Sequence, residues 1–335
     1  MTTSTSTSTS TSASTLMSLY GPVAEDMVLV EDLLESTRKV EIPALKRMLD
    51  HALGARGKRM RPALVLLAGT FGDYDLNRLV PLGAAIELLH TASLVHDDVV
   101  DGAASRRGRP TANALFDNAL TVLLGDYIFA NAAEMVTRTG SLPVTRLFAL
   151  ALMKMTSGEL DQDAAAFDVG KDIQNYLWRI GGKTAALFCN ATEGGATLGK
   201  CPESTVEALR VYGYSLGMAF QIVDDILDFT GDAAVMGKPV GSDLREGTIT
   251  LPALLLLERY PKNNPIKKFF TARRGREEHL QQSIAMIRES EVLEASLEMA
   301  RSYVRRATEA IESLPDSAAH RSLVDLGEYV LSRDS

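Results

Sequence analysis

The sequence predicts an all-α fold, and three observations support this class. Apolar residues recur at three- and four-residue spacing along most of the 335-residue chain, as on one face of an α-helix. Alternating apolar and polar segments and Asn-Gly hairpin signals, which indicate strands, are missing from the sequence. Gly and Pro lie mostly between the periodic segments, and no linker divides the chain. We therefore expect a single large helical bundle of about ten helices.

The expected helices follow the periodic segments in chain order. They are residues 24–36, 42–53, 60–71, 77–101, 119–138, 143–167, 173–199, 203–230, 249–259, 278–313 and 317–332. Each segment keeps its apolar residues on one helical face, and Gly or Pro residues, which interrupt helices, lie between most of them. Two polar loops are expected at 102–112 and 231–248, and each directly follows an aspartate-rich segment.

Composition narrows the class of protein. Hydrophobic residues make up 46% of the chain, which is ample for a sizeable core. A formal net charge of −8 argues against nucleic acid as a partner, because phosphate backbones attract basic surfaces. The two cysteines, Cys189 and Cys201, form no CxxC motif and indicate reduced thiols. Apolar runs such as 249–257 are too short to cross a membrane, so we expect no transmembrane segment.

The first residues differ in composition from the rest. Met1–Thr15 is almost entirely Ser and Thr without charge, and such a segment cannot bury apolar surface. It lacks the arginines of a transit peptide and the apolar run of a signal peptide. We expect a disordered tail over residues 1–20, one all-α unit over residues 21–335, and a cytoplasmic protein.

Two aspartate-rich segments carry the strongest chemical signal. Both read DDxxD within apolar surroundings, as Asp97-Asp98-Val-Val-Asp101 and Asp224-Asp225-Ile-Leu-Asp228. Residues four apart share a helical face, so each segment presents paired carboxylates. Carboxylates in apolar surroundings repel one another and need cations, and Mg²⁺ prefers such oxygen ligands. We interpret the two segments as a metal–diphosphate site built from two facing helices.

Other polar residues fit this interpretation. His90 lies two turns before Asp97, and Gln221 lies one turn before Asp224. Basic residues lie after glycines or beside the aspartates, where they suit phosphate oxygens. These residues are Lys58, Arg59, Arg61, Arg106, Arg107, Arg109, Lys183 with Thr184, and Lys238. The Gly181–Thr184 run matches a phosphate-binding P-loop only weakly, because the leading glycine is missing at the required spacing.

Together, these motifs resemble those of trans-isoprenyl diphosphate synthases, the polyprenyl synthetase family. The segment from His90 to Thr111 resembles the first aspartate-rich motif of that family, and Phe220–Asp228 resembles the second. Gly57–Pro62 and Gly182–Thr184 resemble two further family motifs. The similarity extends over roughly residues 25–330 and is far more specific than one DDxxD segment.

The resemblance implies the isoprenoid synthase fold, a helical bundle with a central substrate cavity, and a Mg²⁺-dependent prenyltransferase. Such an enzyme condenses isopentenyl diphosphate with an allylic diphosphate to give a trans-polyprenyl diphosphate. The family pattern implies three magnesium ions in each active site, held through Asp97, Asp101 and Asp224. It also implies a homodimer. The sequence departs from the family at Thr248, where many relatives carry a lysine that makes a supplementary phosphate contact.

The remaining roles also come from the resemblance. The catalytic set would be Asp97, Asp98, Asp101, Asp224, Asp225, Asp228 and Lys183. The allylic diphosphate would be held by Arg106, Lys183, Thr184, Gln221 and Lys238. Isopentenyl diphosphate, which needs no metal, would be held by Lys58, Arg61, His90 and Arg107, with Arg59 beside them.

Residues just before the first triad bear on product length. Ala92 and Ser93 are small, whereas short-chain relatives usually place an aromatic floor there. Each helical turn advances about 5.4 Å, close to one extended isoprene unit. We therefore expect a channel that passes Ala92, Ser93 and Leu89 and a long-chain product. The floor is left open between Leu89, Phe129 and Met135, and close helix packing is the alternative reason for the small residues.

Other functions remain as alternatives. A farnesyl or geranylgeranyl diphosphate synthase would share every motif. A class I terpene cyclase shares the first motif but normally alters the second and needs no isopentenyl diphosphate pocket. A non-catalytic subunit of a heteromeric synthase tends to lose aspartates, and none is lost here. The His96-Asp97 pair could belong to a metal phosphohydrolase, although the other histidines form no obvious second ligand set.

Overall fold

Helices make up nearly all of the chain that the computed structural model describes, namely residues 18–54, 57–106, 108–231, 239–272 and 274–333. After a 3₁₀ turn at Gly21–Val23, the helices up to the π-helical turn are α1 (Asp26–Ser36), α2 (Pro43–Leu53), α3 (Met60–Gly69), α4 (Leu76–Val100), α5 (Ala112–Phe116), α6 (Asn118–Thr137), α7 (Leu142–Ala164) and α8 (Ile173–Ile180). After the π-helical turn Gly181–Ala185 they are α9 (Ala186–Leu198), α10 (Glu203–Thr230), α11 (Ser242–Glu246), α12 (Leu251–Arg259), α13 (Pro265–Thr271), α14 (Arg276–Glu289), α15 (Val292–Ile311) and α16 (Ala318–Ser332). The all-α prediction is confirmed.

Several local features differ from the expectation. A two-stranded hairpin, β1 (Ser105–Arg106) with β2 (Arg109–Pro110), lies within the first predicted loop. The segment 278–313 forms two helices rather than one, because Ser290 takes an extended backbone conformation between α14 and α15. The segment 173–199 is interrupted by the π-helical turn Gly181–Ala185. Periodicity over a long window cannot resolve such short interruptions, because the apolar face continues on both sides.

Four helices, α3, α4, α9 and α10, form the centre of the bundle. Helix α9 contacts the other three, while α6 packs outside α4 and α15 packs outside α10. Every residue of α4 from Leu79 to Leu89 is buried, which explains why this segment is apolar on all sides. A Cβ added at Gly195 of α9 would lie 2.3 Å from the Val65 carbonyl oxygen, so this close approach requires glycine.

The N-terminal boundary of the folded part lies before the predicted one. Residues 1–17 lie outside the described residues, so the expected disorder of the tail is not tested. Tyr20, which the predicted boundary assigns to the tail, is fully buried. Its hydroxyl donates a hydrogen bond to the Lys58 carbonyl oxygen at 2.7 Å. The folded part therefore includes Tyr20.

Two helices meet the length and composition of a membrane span, contrary to the expectation from the sequence. They are α4 and α6. The apolar window of α4 is 72% buried inside the protein and that of α6 is 39% buried. The burial of α4 is that of a core helix, which passes the same test of length and composition. Both helices were expected from the sequence, at 77–101 and 119–138, but polar residues divide them into apolar runs that are each shorter than a span.

Candidate active site

Both aspartate triads lie in the last turns of long central helices. Asp97 and Asp98 belong to the last turn of α4, and Asp101 follows it as the C-cap. The second triad lies in the last two turns of α10, which ends at Thr230. The negative end of a helix dipole disfavours further negative charge, so neither position is intrinsically favourable for carboxylates.

Adjacent residues of the π-helical turn connect the two triads. Lys183 is close enough to Asp97 and Asp101 to act on both carboxylates electrostatically. Its neighbour Thr184 donates a hydrogen bond to Gln221 Oε1 at 2.6 Å, one turn before Asp224. The two triads therefore border one cleft, with the π-helical turn between them.

Burial makes the carboxylates that face the cleft hard to ionise. It raises the pKa of Asp97 from 3.8 to about 7, with Glu159 adding to the effect and Lys183 and Arg106 opposing it. Burial likewise raises the pKa of Asp101, against the opposing charge of Lys183. A cation placed beside these carboxylates would reverse the shift, because an opposite charge favours the ionised form.

Two inner aspartates, one in each triad, are engaged within the protein. Asp98 is buried and accepts a hydrogen bond from Arg106 Nε at 2.7 Å. Asp228 is buried and accepts from Ser242 Oγ at 2.9 Å and from the Asp243 backbone N–H at 3.3 Å. The latter two bonds tie α11 to the end of α10.

Asp225 is also buried, and two side chains hold its carboxylate. Its Oδ2 accepts from the Tyr176 hydroxyl at 2.7 Å, and its Oδ1 accepts from Gln221 Nε2 at 2.8 Å. Burial raises the pKa of Asp225 to about 7, and Asp243 adds to this, while the hydrogen bonds from Tyr176 and Gln221 oppose it. The aspartates that stay more open to the cleft are Asp97, Asp101 and Asp224.

The donor set fits magnesium. Among the residues that the structure describes, no three acidic, histidine or cysteine side chains converge as in an enclosed protein metal site. Mg²⁺ usually binds through one or two carboxylates and takes its other ligands from water and substrate phosphates. Buried carboxylates with raised pKa on two adjoining helix ends suit that mode of binding.

Lys183 is held by two residues that the sequence did not mark. Its Nζ lies 2.6 Å from Glu159 Oε2 and 3.2 Å from Gln162 Oε1, both on α7. The π-helical turn approaches α7 closely, since a Cβ added at Gly182 would lie 2.7 Å from the Lys154 carbonyl oxygen. No sequence signal marks Glu159, because its role depends on this helix contact.

A C-terminal arginine also enters the site. Arg333 Nη2 lies 2.6 Å from Asp224 Oδ1, and the side chain is only 3% exposed. Its guanidinium stacks 3.9 Å above the Phe220 ring and donates to the Phe220 carbonyl oxygen at 2.5 Å. Arg333 lies more than 100 residues from Asp224 in the sequence, so motif spacing could not reveal it.

A second basic pocket lies beyond an aromatic pair. The rings of Phe188 and Phe220 lie 5.2 Å apart, and Arg61 stacks on the Phe188 ring at 4.7 Å. Arg61 and Arg333 thus lie on the two rings of one pair. Lys58 Nζ lies 5.9 Å from the ring of Tyr329, so the last helix, α16, covers this pocket.

Arg59 does not share the orientation of Lys58 and Arg61. Its backbone is left-handed, with φ of 53°, at the N-cap of α3. Its guanidinium is paired with Glu31 at 2.5 Å and with Glu87 at 2.8 Å. In this geometry Arg59 is held by two carboxylates, and its phosphate role stays a prediction. The predicted contacts from Arg107 and Lys238 lie outside the described residues.

The candidate chain-length residues lie along the contact of α4 with α6. Ala92 and Leu89 are fully buried, and the Ser93 hydroxyl donates to the His90 carbonyl oxygen at 2.8 Å. The rings of His96 and Phe129 lie 5.4 Å apart between centres, so Phe129 lies beside the part of this contact nearest the triad.

Met135 lies much deeper along the same contact. His96 Nε2 lies 3.1 Å from the Val122 carbonyl oxygen, whereas Arg78 near the start of α4 donates to the Thr139 carbonyl oxygen at 2.8 Å. The two helices are thus antiparallel, and Met135 lies level with Ala85. Asp97 and Ala85 are twelve residues apart in sequence. That separation corresponds to about 18 Å along the helix.

Comparison with known proteins agrees with this geometry. Residues 42–287 match the family model for polyprenyl synthetase. The chain belongs to the polyprenyl synthetase family. It is 37% identical over 314 residues to heptaprenyl diphosphate synthase component 2 of Bacillus subtilis, a match covering 94% of this chain and 90% of that protein. The family assignment confirms the prediction of a trans-polyprenyl diphosphate synthase, an enzyme class that generally depends on Mg²⁺.

Solved structures of the family share the fold. A decaprenyl diphosphate synthase from Rhodobacter capsulatus superposes with a TM-score of 0.86 at 39% identity, covering 95% of this chain and 98% of that one. A polyprenyl synthase from Caulobacter crescentus, in complex with calcium and isoprenyl diphosphate, gives a TM-score of 0.89 at 33% identity, covering 95% and 97%. These likenesses favour a prenyltransferase over the cyclase and phosphohydrolase alternatives.

We expect that Asp97→Asn stabilises the metal-free protein at alkaline pH. The folded state raises the pKa of Asp97 from 3.8 to about 7. The folded protein therefore binds this proton more tightly than the unfolded chain, and its stability falls as the pH rises from about 4 through 7. In urea unfolding with EDTA, the Asp97→Asn variant should be more stable than wild type at pH 8 by on the order of 2 kcal/mol, and similar to it near pH 4.

A matched control for this experiment is Asp316→Asn. The Asp316 side chain is 81% exposed, so its replacement should not reproduce the pH-dependent difference. Equal stabilities of the Asp97→Asn variant and the wild-type protein at pH 8 would contradict the buried, uncompensated carboxylate described above.

Proposed function

We propose that this chain joins isopentenyl diphosphate to an allylic diphosphate at the cleft between α4 and α10, producing a long-chain trans-polyprenyl diphosphate. The observation that carries the proposal is the pair of aspartate triads at adjoining helix ends, connected through Lys183, Thr184 and Gln221. Asp97, Asp101 and Asp224 would hold three Mg²⁺ ions together with the allylic diphosphate. Bound Mg²⁺ supplies stabilisation of the charge that develops on the departing pyrophosphate.

The residues around the triads suit the allylic diphosphate. Asp98 orients Arg106 through its Nε, which leaves the Nη donors for phosphate oxygens. Lys183 is paired with Glu159 in the present geometry and can exchange that carboxylate for a phosphate. Gln221 lies one helical turn before Asp224 and accepts a hydrogen bond from Thr184. This cluster is basic and polar where the diphosphate charge would lie.

The pocket beyond the aromatic pair suits isopentenyl diphosphate. Lys58 and Arg61 lie at the start of α3, and the Tyr20 hydroxyl fixes the Lys58 backbone at 2.7 Å. His90 directly follows the buried run Leu79–Leu89 of α4. With no acidic triad of its own, this pocket would bind its diphosphate through cationic side chains alone. Phe188 and Phe220 would separate the two diphosphate groups, while the carbon chains of the two substrates meet.

The chain's own contribution to the reaction is alignment and exclusion of water. The double bond of isopentenyl diphosphate attacks the allylic carbon as its bond to pyrophosphate breaks, and a proton is then lost. The released pyrophosphate can accept that proton, so no dedicated protein base is needed. Holding both substrates in reacting geometry accounts for a large part of such a rate increase.

The direct test is turnover with Mg²⁺, labelled isopentenyl diphosphate and separate allylic primers, followed by chain-length analysis. We expect elongated prenyl diphosphates from the wild-type chain. Asp97→Asn and Asp224→Asn should each lower kcat by at least about a hundredfold, because each removes a ligand for the cations that stabilise transition-state charge. Asp316→Asn is the control for an exposed aspartate. Hydrolysis without elongation would favour a phosphohydrolase, and a cyclised hydrocarbon would favour a cyclase.

The long-chain product is supported by the depth of the α4–α6 contact. The Ala92 side chain, about one turn from the triad, is too small to close the channel there. Met135 lies about 18 Å below Asp97 along the helix. Leu89 and Phe129 lie nearer the triad than Met135 does, and either residue could close the channel earlier. The Bacillus and Rhodobacter relatives are named for heptaprenyl and decaprenyl products.

Replacing Ala92 with Phe should shorten the product. The aromatic ring would enter the path of the growing chain one turn from Asp97, which leaves room for about one isoprene unit beyond the diphosphate site. Ala92→Leu should shorten it less, because its side chain is smaller. The measurement is the distribution of dephosphorylated prenols on reversed-phase chromatography. An unchanged distribution in both variants would remove Ala92 from the channel.

We propose that the chain acts as a homodimer through the exposed faces of α6 and α7. These two contacting helices leave an apolar surface uncovered. It comprises Leu120 and Leu123 of α6 with Leu150, Met153 and Leu160 of α7. Leu123, Met153 and Leu160 are each more than 60% exposed, which is unusual for large apolar side chains on two contacting helices. A second copy of the chain would bury them.

Leu123→Glu and Leu160→Glu should convert the dimer to a monomer, because each places a charge in an apolar interface. The measurement is the molar mass by light scattering across a dilution series. Leu29→Glu, on the exposed face of α1, is the matched control and should leave the mass unchanged. If the wild-type chain is a monomer on its own, a heteromer is favoured instead. The Bacillus relative is named as component 2 of its synthase, which suggests a partner component for that protein.

We also propose a cytoplasmic location. Cys189 and Cys201 are both free thiols, which suits a reducing compartment.

A further inference from the structure

A continuous chain of hydrogen bonds runs from the protein interior to the edge of the cleft. It begins at Tyr176 of α8, whose hydroxyl donates to Asp225 Oδ2 at 2.7 Å. Asp225 Oδ1 accepts from Gln221 Nε2 at 2.8 Å, and Gln221 Oε1 accepts from the Thr184 hydroxyl at 2.6 Å. Three separate parts of the fold, α8, α10 and the π-helical turn, are therefore connected at one point.

The chain of bonds fixes the orientation of the Gln221 amide. Both Asp225 oxygens accept in this arrangement, Oδ2 from the Tyr176 hydroxyl and Oδ1 from Gln221 Nε2, which leaves the Gln221 amide oxygen directed at Thr184. The second N–H of Gln221 stays available as a donor to a ligand, whereas the Thr184 hydroxyl has already donated its only proton to Gln221. With an unoriented amide, Gln221 could present oxygen instead of N–H, and an oxygen would repel a phosphate.

Tyr176 is well placed to hold this arrangement. Its side chain is 2% exposed, and Arg179 lies over its ring at 5.7 Å. Arg179 in turn donates to the Ile249 carbonyl oxygen at 2.9 Å, which anchors α8 to the start of α12. Only four residues separate Tyr176 from the start of the π-helical turn that carries Lys183 and Thr184. The hydroxyl therefore determines both where Asp225 lies and how the turn meets α10.

We propose that Tyr176 is a positioning residue for the diphosphate of the allylic substrate, acting through Asp225 on the Gln221 amide, whose oxygen is held by Thr184. Tyr176 touches no substrate in this arrangement. Asp225, likewise, serves the hydrogen-bond chain and leaves cation binding to Asp97, Asp101 and Asp224. The inference rests on the proposed function, since it assigns the ligand of this cluster as the allylic diphosphate.

The test compares Tyr176→Phe with Tyr212→Phe. Tyr212 is also fully buried, and its hydroxyl donates one hydrogen bond, to the Leu323 carbonyl oxygen at 2.7 Å, outside the cluster. Each variant loses a single buried hydroxyl, so both should lower the melting temperature to a similar extent. Isothermal titration of inorganic pyrophosphate with Mg²⁺ should show binding weakened about tenfold by Tyr176→Phe and unchanged by Tyr212→Phe, as expected for a lost bond to a charged group.

Kinetics separate positioning from general destabilisation. In the Tyr176→Phe variant the KM of the allylic diphosphate should rise about tenfold. The KM of isopentenyl diphosphate should stay within about twofold, because its pocket lies beyond the aromatic pair. Thr184→Val, which breaks the chain at its other end, should give the same selective loss. Adding Tyr176→Phe to Thr184→Val should then have little further effect, because both act through one chain.

Several outcomes would overturn the inference. One is pyrophosphate binding by the Tyr176→Phe variant that matches the Tyr212→Phe variant, and another is an equal loss for both substrates. Full additivity of Tyr176→Phe and Thr184→Val would also overturn it. If Tyr176→Phe prevents folding, normal pyrophosphate binding by Thr184→Val alone has the same consequence. The wild-type chain must elongate isopentenyl diphosphate in the same assay; if it does not, the proposed function fails rather than the role of Tyr176.

Discussion

Repulsion among carboxylates at two adjoining helix ends is the constraint on which the rest of the site depends. Six aspartates lie where α4 and α10 end, and the helix dipoles there favour positive charge. The fold compensates the inner aspartates with Arg106, Tyr176, Gln221 and the start of α11. Of the aspartates that are more open to the cleft, Asp97 and Asp101 have raised pKa values. Asp224 forms an ion pair with Arg333.

The same constraint explains why charged partners recur around the cleft. Lys183 is neutralised by Glu159, and Arg333 is neutralised by Asp224. On the proposed function, each pair would open when a magnesium diphosphate binds, so binding would exchange one set of ion pairs for another. Such an exchange would limit the uncompensated charge in this partly buried site.

The helices and the triads could be predicted from the sequence because both are local properties. Burial of one face sets the spacing of apolar residues, as in α4 and α10, and DDxxD places its carboxylates on a face by spacing alone. The contacts of Glu159, Tyr176 and Arg333 could not be predicted, because they depend on how distant helices pack. The ion pairs of Arg59 with Glu31 and Glu87 were likewise not predictable, because they depend on the left-handed backbone of Arg59 and on the packing of α1 and α4 beside it.

The central claim is that divalent cations bridge the two acidic helix ends through the allylic diphosphate. It is tested most directly by a crystal structure with Mn²⁺ and a non-reactive thiolo analogue of an allylic diphosphate, with cations located by anomalous scattering. We predict manganese within about 2.3 Å of Asp97, Asp101 and Asp224 oxygens, with Arg333 displaced from Asp224. Cations bound elsewhere, or a diphosphate held with no metal between α4 and α10, would contradict the claim.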